Sequence, residues 1–139
     1  MKILKLKTER RRLGNLGERR AALYLFLRGY RILERNYVSG DAEIDIIARR
    51  GKICAFVEVK TRTLGHESLK EPRPASSVTP EKQRKIIRCA RDYRYKHPFS
   101  AKMRFDIIEV LVRDDGKKTK IQKIEHLISA FDADSARRV

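Results

Sequence analysis

The sequence predicts an α/β domain in which helices cover a mixed β-sheet, with elements in the order α-β-β-β-α-β-β. Three observations carry this. Stretches 13–28 and 80–96 place small and apolar residues at helical spacing between helix start and stop signals. Two Ile- and Val-rich runs, 43–49 and 53–61, flank Arg50-Gly51-Lys52 as hairpin strands would. Two further β-branched runs, 104–112 and 120–128, flank Asp115-Gly116. At 139 residues the chain has the length of one domain with a real core.

Residues 1–12 are basic, without an apolar stretch, and read as a loose arm before a domain at 13–131 and a tail at 132–139. The first helix runs from about Leu13 to Arg28, with Gly29 as its C-terminal cap. Gly14, Glu18, Ala21, Ala22 and Leu25 form one stripe on it. Glu18 therefore lies on the packing face, where it is either a functional group or a carboxylate favoured by the helix dipole. A strand over about 30–37 follows, then the hairpin. Residues 63–80 are long and polar and hold three of the four prolines, as functional or disordered loops do. Thr79 as N-cap and Pro80 in the first turn open a second helix to about Lys96. Gln83, Ile86, Ile87, Ala90 and Tyr93 with Arg94 should face inward, and Lys82, Arg84, Lys85, Arg88 and Arg91 outward. Strands at 104–112 and 120–128 and a short terminal helix complete the order.

The hairpin carries the chemistry. Glu43, Asp45, Glu58 and Lys60 interrupt runs that otherwise read as buried strands, and a carboxylate is costly to bury unless it is paired or holds a metal. A two-residue Gly51-Lys52 loop fits a type II′ turn. Counting outward from Arg50 opposite Ile53 sets Asp45 opposite Glu58 and Glu43 opposite Lys60, all on one face. Two opposed carboxylates ask for a cation between them. The ordinary alternative is a solvated face with a decorative Glu–Lys pair. Ile47, Cys54 and Phe56 share the acidic face, however, and they do not suit water.

Lys and Arg number 34 against 18 Asp and Glu, a formal charge of +16. Such an excess attracts polyanions, nucleic acid before anionic membranes or acidic proteins. The longest apolar run, Ala21 to Leu27, is far short of the ~20 residues of a membrane span, and the N-terminus lacks a signal-peptide h-region. Cys54 and Cys89 read as buried thiols of an intracellular protein, and the scattered His66, His97 and His126 argue against zinc.

The chain resembles the YraN-like family of small bacterial proteins. The resemblance rests on Gly14-Asn15-Leu16-Gly17-Glu18, Ala21-Ala22 with Tyr24-Leu25, Gly29-Tyr30, Glu43-Ile44-Asp45, Phe56-Val57-Glu58-Val59-Lys60-Thr61-Arg62, Arg104-Phe105-Asp106 and the strand of His126. It covers about residues 13–131. Ala42 departs from it, because relatives usually carry Gly before the Glu-Ile-Asp motif. The resemblance implies a restriction-endonuclease-like fold of the PD-(D/E)xK type, related to archaeal Holliday-junction resolvases. It implies that Asp45, Glu58 and the Val59 carbonyl hold Mg²⁺ or Mn²⁺, that Lys60 orients the attacking water, and that Glu18 completes the site from the first helix. Glu43 would support these groups. Lys82 or Gln83 would approach phosphate, with Arg84, Lys85, Arg88 and Arg62 as further nucleic-acid contacts.

The expected function is metal-dependent hydrolysis of phosphodiester bonds in nucleic acid, DNA before RNA, with branched DNA among the candidate substrates. The expected setting is the cytoplasm or nucleoid, with no membrane partner and a homodimer left open. The rivals are a nucleic-acid-binding module of the same fold with little catalysis, and a structural or ribosome-associated basic protein.

Overall fold

In the computed structural model, which describes residues 2–64, 78–114 and 117–133, the elements are α1 (Lys2–Leu27), β1 (Arg31–Ser39), β2 (Ala42–Arg50), β3 (Ile53–Thr63), α2 (Pro80–Lys96), β4 (Lys102–Asp114) and β5 (Thr119–Phe131). The five strands form one sheet in the order β1-β2-β3-β4-β5. The first three are an antiparallel meander, β4 runs parallel to β3, and β5 is antiparallel to β4. A parallel pair needs a crossover, and α2 lies within it. The predicted α/β order is present. Residues 65–77 of the long polar segment, the Asp115-Gly116 turn and the expected terminal helix beyond residue 133 lie outside the described residues.

Local chemistry sets the boundaries. At the end of α1, Tyr30 N–H donates to Leu25 O and Gly29 N–H to Phe26 O, both at 3.0 Å, with Gly29 at φ +87. This is the Schellman pattern, and it needs the left-handed conformation glycine supplies. Thr79 caps α2, its side chain accepting Lys82 N–H at 3.2 Å ahead of Pro80. Gly51 has φ +58 and Lys52 no positive φ, as the type II′ turn requires.

One expectation fails at the N-terminus. α1 begins at Lys2, so residues 2–12 are helical rather than a loose arm. Lys, Leu, Arg and Glu dominate there, without Gly or Pro, and helix propensity continues unbroken into the packed part of the helix.

The sheet is covered on both faces, which explains why Ala55, Phe56 and Val57 of the central strand β3 are all buried. On one face Ala21 and Leu25 of α1 pack over Ile46, Ala48, Ala55, Val57, Ile108 and Val110. On the other Ile86, Ile87, Cys89, Ala90 and Tyr93 of α2 pack over Ile44, Ile47, Cys54, Phe56, Phe105 and Ile107. Arg94, expected to face inward beside Tyr93, is exposed. Both cysteines are buried free thiols, and burial pushes the Cys54 thiol up to about 11. Among the described residues no helix is long and apolar enough to cross a membrane.

Candidate functional site

The site forms where β2 parts from β3. Their ladder keeps the predicted register from Arg50 opposite Ile53 to Ile46 opposite Val57, and stops there. Beyond it the Asp45 carboxylate replaces a backbone partner, its Oδ2 accepting the Val59 N–H at 2.7 Å. On the other side of β2, Asn36 of β1 sits at φ +55 between the pairs Arg35–Ile46 and Tyr37–Ile44. Asparagine tolerates this left-handed conformation better than most residues. Side-chain alternation slips here. Ala42, Ile44 and Ile47 pack on the α2 face, whereas Ile46 and Ala48 pack on the α1 face.

That slip corrects two expected pairs. Asp45 does not oppose Glu58 in the ladder, and Glu43 does not face Lys60. Glu43 pairs with Val38 of β1, and the Lys60 ammonium lies 3.6 Å from Glu58 Oε1.

Asp45, Glu58 and Glu43 nonetheless line one cleft of about 460 Å³, together with Lys82 and Lys85 from α2. Glu58 is 8% exposed and accepts a hydrogen bond from Lys82 Nζ at 2.7 Å. Burial, and then the Glu58 charge, push the Asp45 carboxyl up to about 7, against the opposing bond from Val59. Lys60 is lowered by burial and by the neighbouring Lys82 charge. Burial also pulls Lys82 down, but its bond and attraction to Glu58 outweigh this and raise it.

Glu18 approaches from α1 because Gly17 lets the helix touch β3. A Cβ at Gly17 would stand 1.9 Å from Thr61 Oγ1. Glu18 lines a second cleft of about 370 Å³ with Lys60, Val59 and Thr61. Burial raises its pKa most, with Glu43 adding and Arg35 and Asn36 opposing. Arg35 Nη2 is 4.0 Å from Glu18 Oε2. With its amide nitrogen turned toward the two carboxylates, Asn36 donates to Glu18 Oε2 and Glu43 Oε1, both at 3.0 Å.

The donor set fits a hard divalent cation. Among the described residues no group of three or more His, Cys, Asp or Glu could cage a metal. Mg²⁺ needs none, since it commonly takes one or two carboxylates and fills its octahedron with water and phosphate oxygens. Asp45 and Glu58 supply two. A strand residue directs its N–H and C=O to the same side, so the Val59 carbonyl faces the Asp45 side, away from β4. Such an oxygen-only set suits Mg²⁺ or Mn²⁺.

The other nominated residues divide sharply. Among the basic residues on α2, Lys82 touches Glu58, one of the two proposed metal carboxylates. Lys85 is 3.2 Å from Asp41, and Arg88 donates to the same carboxylate. Arg62 lies 3.4 Å from the buried Glu109, as counter-charge to a core carboxylate. Gln83 Nε2 donates to Val78 O at 2.9 Å and so fastens the start of α2. Arg84 is exposed.

A second polar cluster lies on the α1 face. Asp106, wholly buried, accepts from Arg104 Nε at 2.9 Å and Nη2 at 2.8 Å, from the Ser129 N–H at 3.0 Å, and pairs with His126 Nε2 at 2.8 Å. Arg104 Nη2 also donates to the Tyr30 hydroxyl at 2.6 Å. Burial alone would raise the Asp106 pKa, but the bonds from His126, Arg104 and Ser129 bring it below the usual range.

The model of the family described as "Uncharacterised protein family UPF0102" matches residues 17–110. The chain belongs to this family. UPF0102 proteins of similar length align over most of it, and UPF0102 is the YraN-like grouping whose motifs the sequence carries. A UPF0102 protein of Chlorobaculum parvum is 48% identical over 122 residues, 86% of this chain and 91% of its own length. One of Geotalea uraniireducens is 41% identical over 91% of this chain and 94% of its own. A third, from Caldanaerobacter subterraneus, is 39% identical over 90% and 98%. The span matched by the UPF0102 model contains Glu18, Asp45, Glu58, Lys60 and Lys82.

Proposed function

We propose that this UPF0102 protein is a Mg²⁺- or Mn²⁺-dependent nuclease of restriction-endonuclease-like fold, hydrolysing phosphodiester bonds in DNA and acting in the cytoplasm. The observation that carries the reading is the convergence of Asp45 and Glu58 on one cleft where β2 parts from β3, with Lys60 beside Glu58 and the Val59 N–H bonded to Asp45. Asp45, Glu58 and the Val59 carbonyl would hold the cation. When bound, the cation would polarise the scissile phosphate and make a bound water more nucleophilic.

The side chains do the rest. Lys60 holds its ammonium 3.6 Å from Glu58, in the adjoining cleft that Glu18 lines, where it would orient water or meet charge developing on phosphate. Glu58 takes the place beside it that Glu43 was expected to fill, and burial and the Lys82 charge lower the Lys60 pKa against the pull of Glu58. Glu18 supplies a further carboxylate from α1. Lys82 meets Glu58 at Oε1, and were a cation to take over that carboxylate, the Lys82 ammonium would be free for a phosphate oxygen.

One observation favours a second reading, a nucleic-acid-binding module without catalysis. The charge of Glu58 is already balanced by Lys82 at 2.7 Å, so the site is neutralised without a metal. Cleavage assays with Mg²⁺ or Mn²⁺ over linear, flapped and four-way-junction DNA separate the two. The nuclease reading expects at least one substrate to be cut, no cutting by Asp45→Asn at unchanged DNA affinity, and cutting by Lys60→Ala slowed ~10²-fold. Binding without cleavage, with no Asp45-dependent heat on titrating Mn²⁺, would leave the binding module. No binding to any nucleic acid would remove both.

A further inference from the structure

We propose that the groove between the N-terminal half of α1 and strand β1 is where the phosphate backbone of a nucleic acid lies, in preference to the basic face of α2. This rests on nucleic acid being the partner, as proposed above, and adds where the strand runs. Arg11, Arg12, Asn15, Glu18 and Arg19 fall at helical spacing on one side of α1, and with Arg35 of β1 they line a groove of about 650 Å³. Glu18 is the one carboxylate among the described residues lining it. Guanidinium groups match phosphate oxygens in planar, bidentate fashion.

The groove leads toward the site. Glu18 lines both this groove and the cleft that contains Lys60 and Val59. A backbone lying along the arginines would therefore pass directly to the side chains proposed for the chemistry. Arg10, whose side chain borders the Lys60 cleft, extends the basic track at the other end.

The contrast with four of the α2 cations is one of pairing. Lys85 and Arg88 share Asp41, Lys96 lies 3.3 Å from Asp92, and Lys82 holds Glu58. A cation that already has a carboxylate must break that pair to meet phosphate. Among the described residues, Arg11 and Arg19 have no carboxylate partner, so their charge is available. Each phosphate they neutralise releases condensed counterions and steepens the salt dependence of binding.

The test compares two double variants of the full chain, Arg11→Gln/Arg19→Gln and Arg88→Gln/Lys96→Gln, in DNA binding from about 50 to 200 mM salt. Circular dichroism confirms that each is folded. The α1 variant should flatten the log–log salt slope by about two for duplex DNA, while the α2 variant leaves it nearly unchanged. Arg11→Lys/Arg19→Lys, which keeps the charge, should restore most of the slope. If wild type binds with a steep slope that the α1 variant does not flatten, the groove is overturned and nucleic acid remains the partner. If wild type binds neither duplex, single strand nor junction, the partner itself is wrong and the groove falls with it.

Discussion

Asp45 and Glu58 are carboxylates on neighbouring strands in opposite electrostatic situations. Glu58 has two ammonium groups beside it, whereas Asp45 has one backbone N–H and the Glu58 charge. An acid whose pKa is raised on folding binds its proton more tightly in the folded state. Asp45 therefore costs the fold nothing below about pH 4, progressively more as pH climbs to about 7, and a constant amount above that. In metal-free buffer Asp45→Asn should raise the melting temperature by a few degrees at pH 8, and the gain should vanish near pH 4. Glu58→Gln should do the reverse, losing ~1–3 kcal/mol at pH 7 because Lys82 and Lys60 are left facing an amide. Thermal melts of both variants across pH check this, and a stabilising Glu58→Gln would contradict the pairing. Asp45, Glu58 and Lys60 were legible in the sequence because charged residues stood out among buried neighbours. Asn36 and the Lys82–Glu58 contact were not. The first depends on one backbone conformation, and the second on where a distant helix comes to rest.

At the scale of elements, α1 shows how a packing distance places a functional group. Gly17 is buried against Thr61, and the residue after it is Glu18. Gly17→Ala puts a methyl group 1.9 Å from Thr61 Oγ1, too close for any side chain to remain in place. Although alanine is the better helix former, this variant should lose ~1–3 kcal/mol by overpacking. Gly17→Ala combined with Thr61→Ser or Thr61→Ala should recover part of the loss, the latter more. Denaturant unfolding of the single and double variants measures it, and equal stability of Gly17→Ala and wild type would mean the helix stands off the sheet. The small-residue stripe of α1 and both caps of the helices were legible, since each is set within a few residues. The length of α1 was not. Its basic N-terminal turns look solvated and loose by charge, while their propensity is that of a helix.

For the whole molecule, the order of elements and the mixed sheet followed from turn signals and apolar periods. The edge-to-edge arrangement needed the structure. Nothing in residues 102–114 alone says that they lie parallel to β3 rather than beside β1. The excess of positive charge is likewise a property of the sum, and only the fold shows that much of α2 is paired while the arginines of α1 gather beside β1.

The Asp106 cluster bears on how little of this chain can stand alone. The family match ends at residue 110, before β5 begins, yet His126 and the Ser129 N–H, half the support of a wholly buried carboxylate, come from β5. A fragment ending at residue 118 would keep Asp45, Glu58 and Lys60 but strand Asp106 in the interior with Arg104 alone, and would lay open the edge of β4 to intermolecular pairing. Such a fragment should be a compact, aggregation-prone state without near-ultraviolet dichroism or a cooperative melt. A fragment ending at residue 133 should melt cooperatively like the full chain. The minimal autonomous unit is therefore longer than the shared motif, and β5 is a folding requirement for a site it does not touch.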